Sequence, residues 1–334
     1  MGRREFLFNT VLALCLLAVP LWAHVSDEPY IITLTTRVAI LALAGVGLNL
    51  ALGLGGLVSL GHAMFFGVGG YVVGILASHA QSYTPLMEWP ITIEGTQFMP
   101  VLWIMALVVC GLVALVAGAL SLRTSGVYFI MITLAFGQMF YYFTISWPAY
   151  GGEDGLAIYV RGHFPGLNTL DPIQFFLITY VLLGVALFVT ARISRSGFGL
   201  ALNAARQNET RVRAVGIEPY RLRLAAFAVS GAITGLAGAL FADLNRFVSP
   251  TMFSWQTSGE IMVFVILGGV ARLFGPVAGA ALFILLEEIL GGLSDYWHIY
   301  LGGLLLVVVL FARGGIIGLV AGEDRSAEEG GRND

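Results

Sequence analysis

The chain consists largely of apolar runs long enough to cross a lipid bilayer, repeated along nearly its whole length. A spanning helix needs about 20 predominantly apolar residues. Inside hydrocarbon each backbone N–H and C=O must be satisfied within the structure, so runs of this kind fold as helices. Ten runs read as spans: Phe6–Ala23, Ile31–Leu52, Leu57–Ser78, Val101–Leu122, Gly126–Ser146, Ile173–Ile193, Leu224–Ala242, the shorter Gly259–Ala271 and Gly275–Leu290, and Ile299–Ala312. Only 11% of the residues are charged, against roughly 25% in soluble domains. Too little polar surface exists to cover a soluble core. The sequence predicts an all-α polytopic membrane protein with about ten transmembrane helices. Residues 1–320 form one transmembrane domain, and the acidic tail 321–334 is expected to be disordered. Arg3-Arg4-Glu5-Phe6-Leu7 has the form of a twin-arginine signal, but with so many spans downstream it reads as the start of an uncleaved first helix.

One segment interrupts the apolar pattern. Arg192–Arg223 holds seven of the chain's seventeen basic residues, and all seventeen are Arg. Basic loops stay on the cytoplasmic side of a membrane. With ten spans and both termini cytoplasmic, fourteen Arg fall inside, and only Arg37, Arg161 and Arg246 fall on or near the other side. The loops Gln81–Pro100 and Pro148–Pro172 are acidic, carrying Glu88, Glu94, Glu153, Asp154 and Asp171 against one Arg. They read as long outer loops suited to receiving a soluble partner. The absence of Lys excludes a standard Walker A nucleotide site and a Schiff-base lysine. No cofactor site, metal site or nucleic-acid surface is expected in this chain. Cys15 and Cys110 lie in apolar runs and read as small buried hydrophobes rather than a disulfide.

Polar groups at membrane depth are expensive and therefore informative. Asn49, Ser59, His62, Tyr71, Tyr128, Thr133, Gln138, Tyr142 and Glu260 form the candidate lining of a translocation path, with interhelical hydrogen bonding as the plainer role for each. Ser59, His62 and Tyr71 fall on the expected third span, and the residues from Tyr128 to Tyr142 on the fifth. Glu287 and Glu288 fall toward the outer end of the ninth, where carboxylates reach water. His62 has no Cys, His or carboxylate at ligand spacing. The spacing Gly231–Gly235 and the run Gly67–Gly70 suit close helix packing. Gly53-Leu54-Gly55-Gly56 suggests instead a broken or re-entrant helix, a device that lines substrate paths in transporters.

Several blocks carry a family resemblance. They are Gly56-Leu57-Val58-Ser59-Leu60-Gly61-His62-Ala63-Met64-Phe65-Phe66-Gly67, the stretch from Thr124 to Met139, Gly151–Leu156, Ala204–Glu209, Ala214–Ile217, Val248-Ser249-Pro250, Ser258–Ile261 and Leu267–Pro276. Together, over roughly residues 40–315, the sequence resembles the branched-chain amino-acid permease family of ABC importers, and looks most like the longer of its two paired permease subunits. The resemblance implies an ABC importer permease fold in the bacterial inner membrane. The implied partners are a sister permease subunit, two ATP-binding subunits that carry ATP and Mg, and a periplasmic solute-binding protein. It also implies a cytoplasmic coupling helix that docks on an ATPase, in the loop of about 194–223. A helix over Phe198–Arg213 fits, with Leu200, Ala204 and Ala205 on one face and Arg206, Arg211 and Arg213 toward the charged side. Glu209 is placed to pair with Arg206 or Arg213, and Gly216 and Pro219 end the helix. Asn203, Asn208 and Glu209, with Leu200, Arg206, Arg211, Arg213 and Gly216, are the expected ATPase contacts. A helix lying on membrane lipid is the plainer alternative.

The implied substrates are branched-chain amino acids, with urea, short amides or small aromatic acids as alternatives within the same family. From a different class, a stand-alone secondary transporter would couple through Glu260 or Glu287. A membrane enzyme lacks any nucleophile–base pair in the sequence.

Overall fold

The computed structural model describes residues 3–85, 95–293, 296, 299–303, 306 and 314–321. Most of the expected last span, the acidic tail from Gly322, and Glu88 and Glu94 lie outside the described residues. Eight described helices are long and apolar enough to cross a membrane. They are α1 (Arg3–Val25), α2 (Pro29–Asn49, extended by a π-helical turn over Leu50–Leu54), α3 (His62–Ser82), α4 (Met99–Ser121), α5 (Val127–Ile145), α6 (Pro172–Arg195), α9 (Pro219–Asn245) and α11 (Gly275–Leu293). Between them lie the short helices α7 (Gly197–Gln207), α8 (Glu209–Ala214) and α10 (Trp255–Gly268), and α12 (Gly315–Ala321) follows.

Local chemistry sets the helix starts. Proline occupies a first-turn position in α2, α4, α6 and α9, where its missing N–H is no loss. Asp171 caps α6 by accepting from the Ile173 N–H at 3.1 Å. Arg246 stops α9 in the left-handed conformation.

The bundle is organised around α9, which packs against α2, α3 and α4. Glycine makes these approaches possible. A Cβ on Gly69 would collide with the Gly235 carbonyl, and one on Gly238 with the Phe66 carbonyl. Gly231 and Gly235 face Ala114 and Cys110 of α4 in the same way. The packing expected of the glycine pairs is therefore found in detail, with backbones nearly touching. Cys110 is buried and its thiol points to the Phe65 carbonyl at 3.4 Å. Cys15 is exposed, against expectation: α1 packs on α2, α6 and α12 and turns its remaining surface outward.

Two expected spans differ from what is found. The third begins at His62 rather than Leu57, since residues 55–61 are not helical. The eighth is α10, whose 14 residues rise about 21 Å, too short to cross about 30 Å of hydrocarbon unaided. It starts partway through the bundle, because residues 246–254 first run inward from the α9 end. Phe247–Val248 pairs antiparallel with Leu156–Ala157, and a 3₁₀ turn over Pro250–Phe253 then packs on α3.

Candidate functional site

The starts of two helices meet at the same depth. The Ala63 N–H, at the start of α3, donates to Ser258 Oγ near the start of α10 at 2.8 Å. Residues 55–61 reach this level from one end of the bundle and residues 246–254 from the other. Both are irregular backbone at membrane depth, which is tolerated only under protein cover or beside water. The helix α5 supplies cover: Gly61 lies against the Thr133 carbonyl, and Gly137 lies beside Gly61 and the Phe253 carbonyl. The break expected at Gly53–Gly56 is real. It takes the form of the π-helical turn followed by Gly56 at φ +67°, a left-handed conformation that favours glycine.

The membrane-depth polar residues fall into two groups. Asn49, Ser59, His62, Tyr71 and Thr133 are buried. Asn49 clamps the loop after α10: its Nδ2 donates to the Arg272 carbonyl at 2.8 Å and its Oδ1 accepts from the Ala271 N–H at 3.0 Å. Ser59 accepts from the Gly61 N–H at 3.3 Å, within the break and not on a helix as expected. Ser230 donates to the Gly47 carbonyl at 2.6 Å, so its oxygen accepts from His62 Nε2 at 2.8 Å, and the proton sits on that nitrogen. Tyr71 stacks at a tilt on Phe253, and Thr133 donates to the Ile130 carbonyl at 2.9 Å. Tyr128, Tyr142 and Glu260 are exposed and Gln138 is half-buried. Tyr128, Met131, Ala135, Met139 and Tyr142 form one stripe along the outward face of α5, opposite the packed stripe of Phe129, Thr133 and Gly137. No group of three or more potential metal ligands occurs among the described residues.

The basic segment is wired to the break. It is not one helix over Phe198–Arg213 but two, α7 and α8, separated at Asn208. Asn208 is extended (φ −155°) and caps α8, its Oδ1 accepting from the Arg211 N–H at 3.0 Å. Ser196 caps α7 through the Gly199 N–H. The buried face of α7 is Gly199, Leu202 and Ala205; of the expected face only Ala205 is buried, while Leu200 is 65% exposed and Ala204 is exposed too, so the buried face is rotated by a little under half a turn. Leu202, not Leu200, supplies the packing of this helix, against Leu50 and Ala226. Asn203, Arg211 and Arg213 are exposed, and Gly216 (φ +85°) turns the chain after α8.

Arg206 does not pair with Glu209. Its guanidinium donates to the Gly53 carbonyl in the π-helical turn, and its stem lies against Gly56. Glu209 instead bridges Arg213, at 3.4 Å, and Arg223 at the start of α9. Arg223 also donates to the Ala205 carbonyl at 3.3 Å. A cavity of about 160 Å³ is lined by Gly56–Val58, the start of α5, Glu209 and Arg223. The segment, the break and α5 thus share one small volume. The sequence did not single out Arg223, Leu202, Ser230 or Ser258 for these roles. Small hydroxyls in an apolar helix leave no hydropathy signal, and Arg223 was visible only as one more charge in the island.

Glu287 and Glu288 sit at the far end of α11 from the basic segment. Glu287 pairs with Arg37 at 3.1 Å and Glu288 accepts from the Tyr30 hydroxyl at 2.8 Å, so both carboxylates stitch α11 to α2.

Comparisons with known proteins identify relatives of the chain. The chain is 28% identical over 314 residues to the high-affinity branched-chain amino acid transport system permease protein LivM of Escherichia coli strain K12, covering 86% of this chain and 69% of that protein. The Salmonella typhimurium LivM protein matches to the same extent. A shorter match, 28% identical over 153 residues, covers 44% of this chain and 41% of the autoinducer 2 import system permease protein LsrC of Yersinia enterocolitica. No solved structure gives a significant match. The family model for the permease component of branched-chain amino acid transport systems matches residues 30–310, and the chain belongs to that family of multi-pass membrane permeases.

Proposed function

We propose that this chain is the transmembrane permease subunit of an ATP-driven importer of branched-chain amino acids or related small solutes in the bacterial inner membrane. It forms the path with a sister permease, receives its solute from a periplasmic binding protein, and is driven by two separate ATP-binding subunits. Its termini and the basic segment face the cytoplasm. The observation that carries this reading is the wiring of α7 and α8: Arg206 to the π-helical turn, and Glu209 through Arg223 to α9. An ATPase that shifts α7–α8 pulls directly on the break that precedes α3. The outward surface of that segment, with Leu200, Asn203, Arg211 and Arg213, is what remains for the ATPase to grip. The exposed stripe on α5, from Tyr128 to Tyr142 with half-buried Gln138 at its margin, faces the path or the sister subunit.

Branched-chain amino acids suit the mostly apolar α5 stripe, whose polar marks are the tyrosines at its ends. Urea, short amides and small aromatic acids remain the competing solutes. The test is purification of the tagged chain in mild detergent, followed by leucine uptake into proteoliposomes. Co-purifying ATP-binding subunits and uptake that requires ATP and binding protein support the proposal. A chain that purifies alone and transports without ATP would sink it and favour coupling through a carboxylate such as Glu260.

A further inference from the structure

An apolar crevice opens between α1, α6 and the start of α11. It holds about 300 Å³ and is lined by Leu16, Leu183, Gly184, Leu187, Phe274 and Val277 among others. On α6 its lining runs from Tyr180 to Ala191, a rise of about 16 Å, which is half of the roughly 30 Å hydrocarbon thickness. Its deep end is closed by the Tyr180 hydroxyl, which donates to the Ala13 carbonyl at 3.1 Å. Its other end continues, through the shared residues Ala191 and Leu273, into a polar pocket of about 350 Å³. That pocket is lined by Arg195, Arg272, Ser194 and Glu5.

The two compartments match the two parts of one molecule. The crevice is one leaflet deep and apolar, as an acyl chain requires. The polar pocket begins one turn further along α6, at the depth of lipid headgroups. Its charge is net positive, because Glu5 opposes only Arg272, at 3.8 Å, and Arg195 has no ion-pair partner among the described residues. Arg192 and Arg195 line a further opening beside it. Basic pockets between transmembrane helices on the cytoplasmic side are suited to anionic lipid headgroups. We infer that this groove is a binding site for one anionic glycerophospholipid, with an acyl chain between α1, α6 and α11 and the phosphate held by Arg195 and Arg272.

The site is separate from the wiring of Arg206 and Glu209, so its test does not depend on transport. The full-length chain in mild detergent is offered dioleoylphosphatidylglycerol or dioleoylphosphatidylcholine, and retained lipid is counted by native mass spectrometry. The expected result is preferential retention of one phosphatidylglycerol. Arg195→Gln should bring the two lipids to near parity. Gly184→Leu should cut retention of phosphatidylglycerol by about tenfold, the effect of filling the crevice. A Cβ at Gly184 meets nothing within 4 Å, and the residue lines the crevice, so the added side chain starts into open space rather than into a packed neighbour. Val181→Leu, on the exposed outer side of α6, should change nothing. Equal retention of both lipids by the wild-type chain overturns the inference, as does unchanged phosphatidylglycerol retention in Arg195→Gln and Gly184→Leu.

Discussion

Replacing Arg206 with methionine isolates the link between the basic segment and the membrane-depth break. Methionine keeps an unbranched stem against Gly56 and removes the donor to the Gly53 carbonyl. A hydrogen bond to a charged group contributes about 1.5–3 kcal/mol net. Arg206 is exposed along part of its length, so water competes and the lower figure applies. A contact biases a conformational equilibrium by no more than its own differential free energy. About 1.5 kcal/mol is roughly a factor of ten. Arg206→Met should therefore leave the subunits assembled and ATP hydrolysis running, while leucine moved per ATP falls by up to about tenfold. The assay is paired measurement of uptake and phosphate release in proteoliposomes containing the whole importer. Gly56→Ala should reach the same phenotype from the other side, because a Cβ there is strained at φ +67° and presses on the Arg206 stem at 2.9 Å. If Arg206→Met transports as much per ATP as the wild type, the force path does not run through Gly53 and the reasoning fails.

Three further outcomes are expected. Gly69→Ala drives a methyl into the Gly235 carbonyl and should cost about 3 kcal/mol or more, seen as loss of the monodisperse peak in detergent and a lowered thermal midpoint. Ser230→Ala strips His62 Nε2 of its partner, while the Gly47 carbonyl keeps the Leu50 N–H, at about 1–3 kcal/mol; a thermal midpoint equal to that of the wild type would show that water replaces the hydroxyl. Arg161→Ala removes donors to the Asp243, Leu244 and Thr169 carbonyls and should raise the rate of limited proteolysis between residues 156 and 171, while Arg161→Lys restores only part of the protection.

The long helices were legible because hydrophobic length is a one-dimensional property that survives without any knowledge of neighbours. The break was legible for a similar reason: three glycines in four residues weaken a helix locally wherever it sits. The basic segment was legible as a unit but not in its geometry. Asn208 followed by Glu209 carried the signal of a helix start, yet it lay inside a stretch that also satisfied helical spacing, and only the contact of Leu202 with α9 and the π-helical turn decides which face is buried. The inward run of residues 246–254 left no trace in hydropathy, since Val248, Met252 and Phe253 are as apolar as a span. Its depth follows from packing against Gly67 and Gly70, a relation between residues nearly two hundred positions apart. The roles of Tyr128, Gln138, Tyr142 and Glu260 stay open to the sequence for the same reason: what an outward face meets is a property of the assembly.

The 27 residues of α9 rise about 40 Å, and both of its ends are fastened. Arg223 ties the first turn to Glu209, while the last carbonyls are held by Arg161 from the 156–171 loop, whose guanidinium also lies 4.6 Å over the Phe175 ring. Along its length the helix is gripped by backbone-close contacts with its neighbours, so bending it is costly and a displacement at one end is carried to the other. Such an element behaves as a tie rod. A solute-loaded protein seated on the 156–171 loop and an ATPase seated on α8 would then be pushing on the two ends of one stiff bar, and each would register the other's arrival without any change in the path between them.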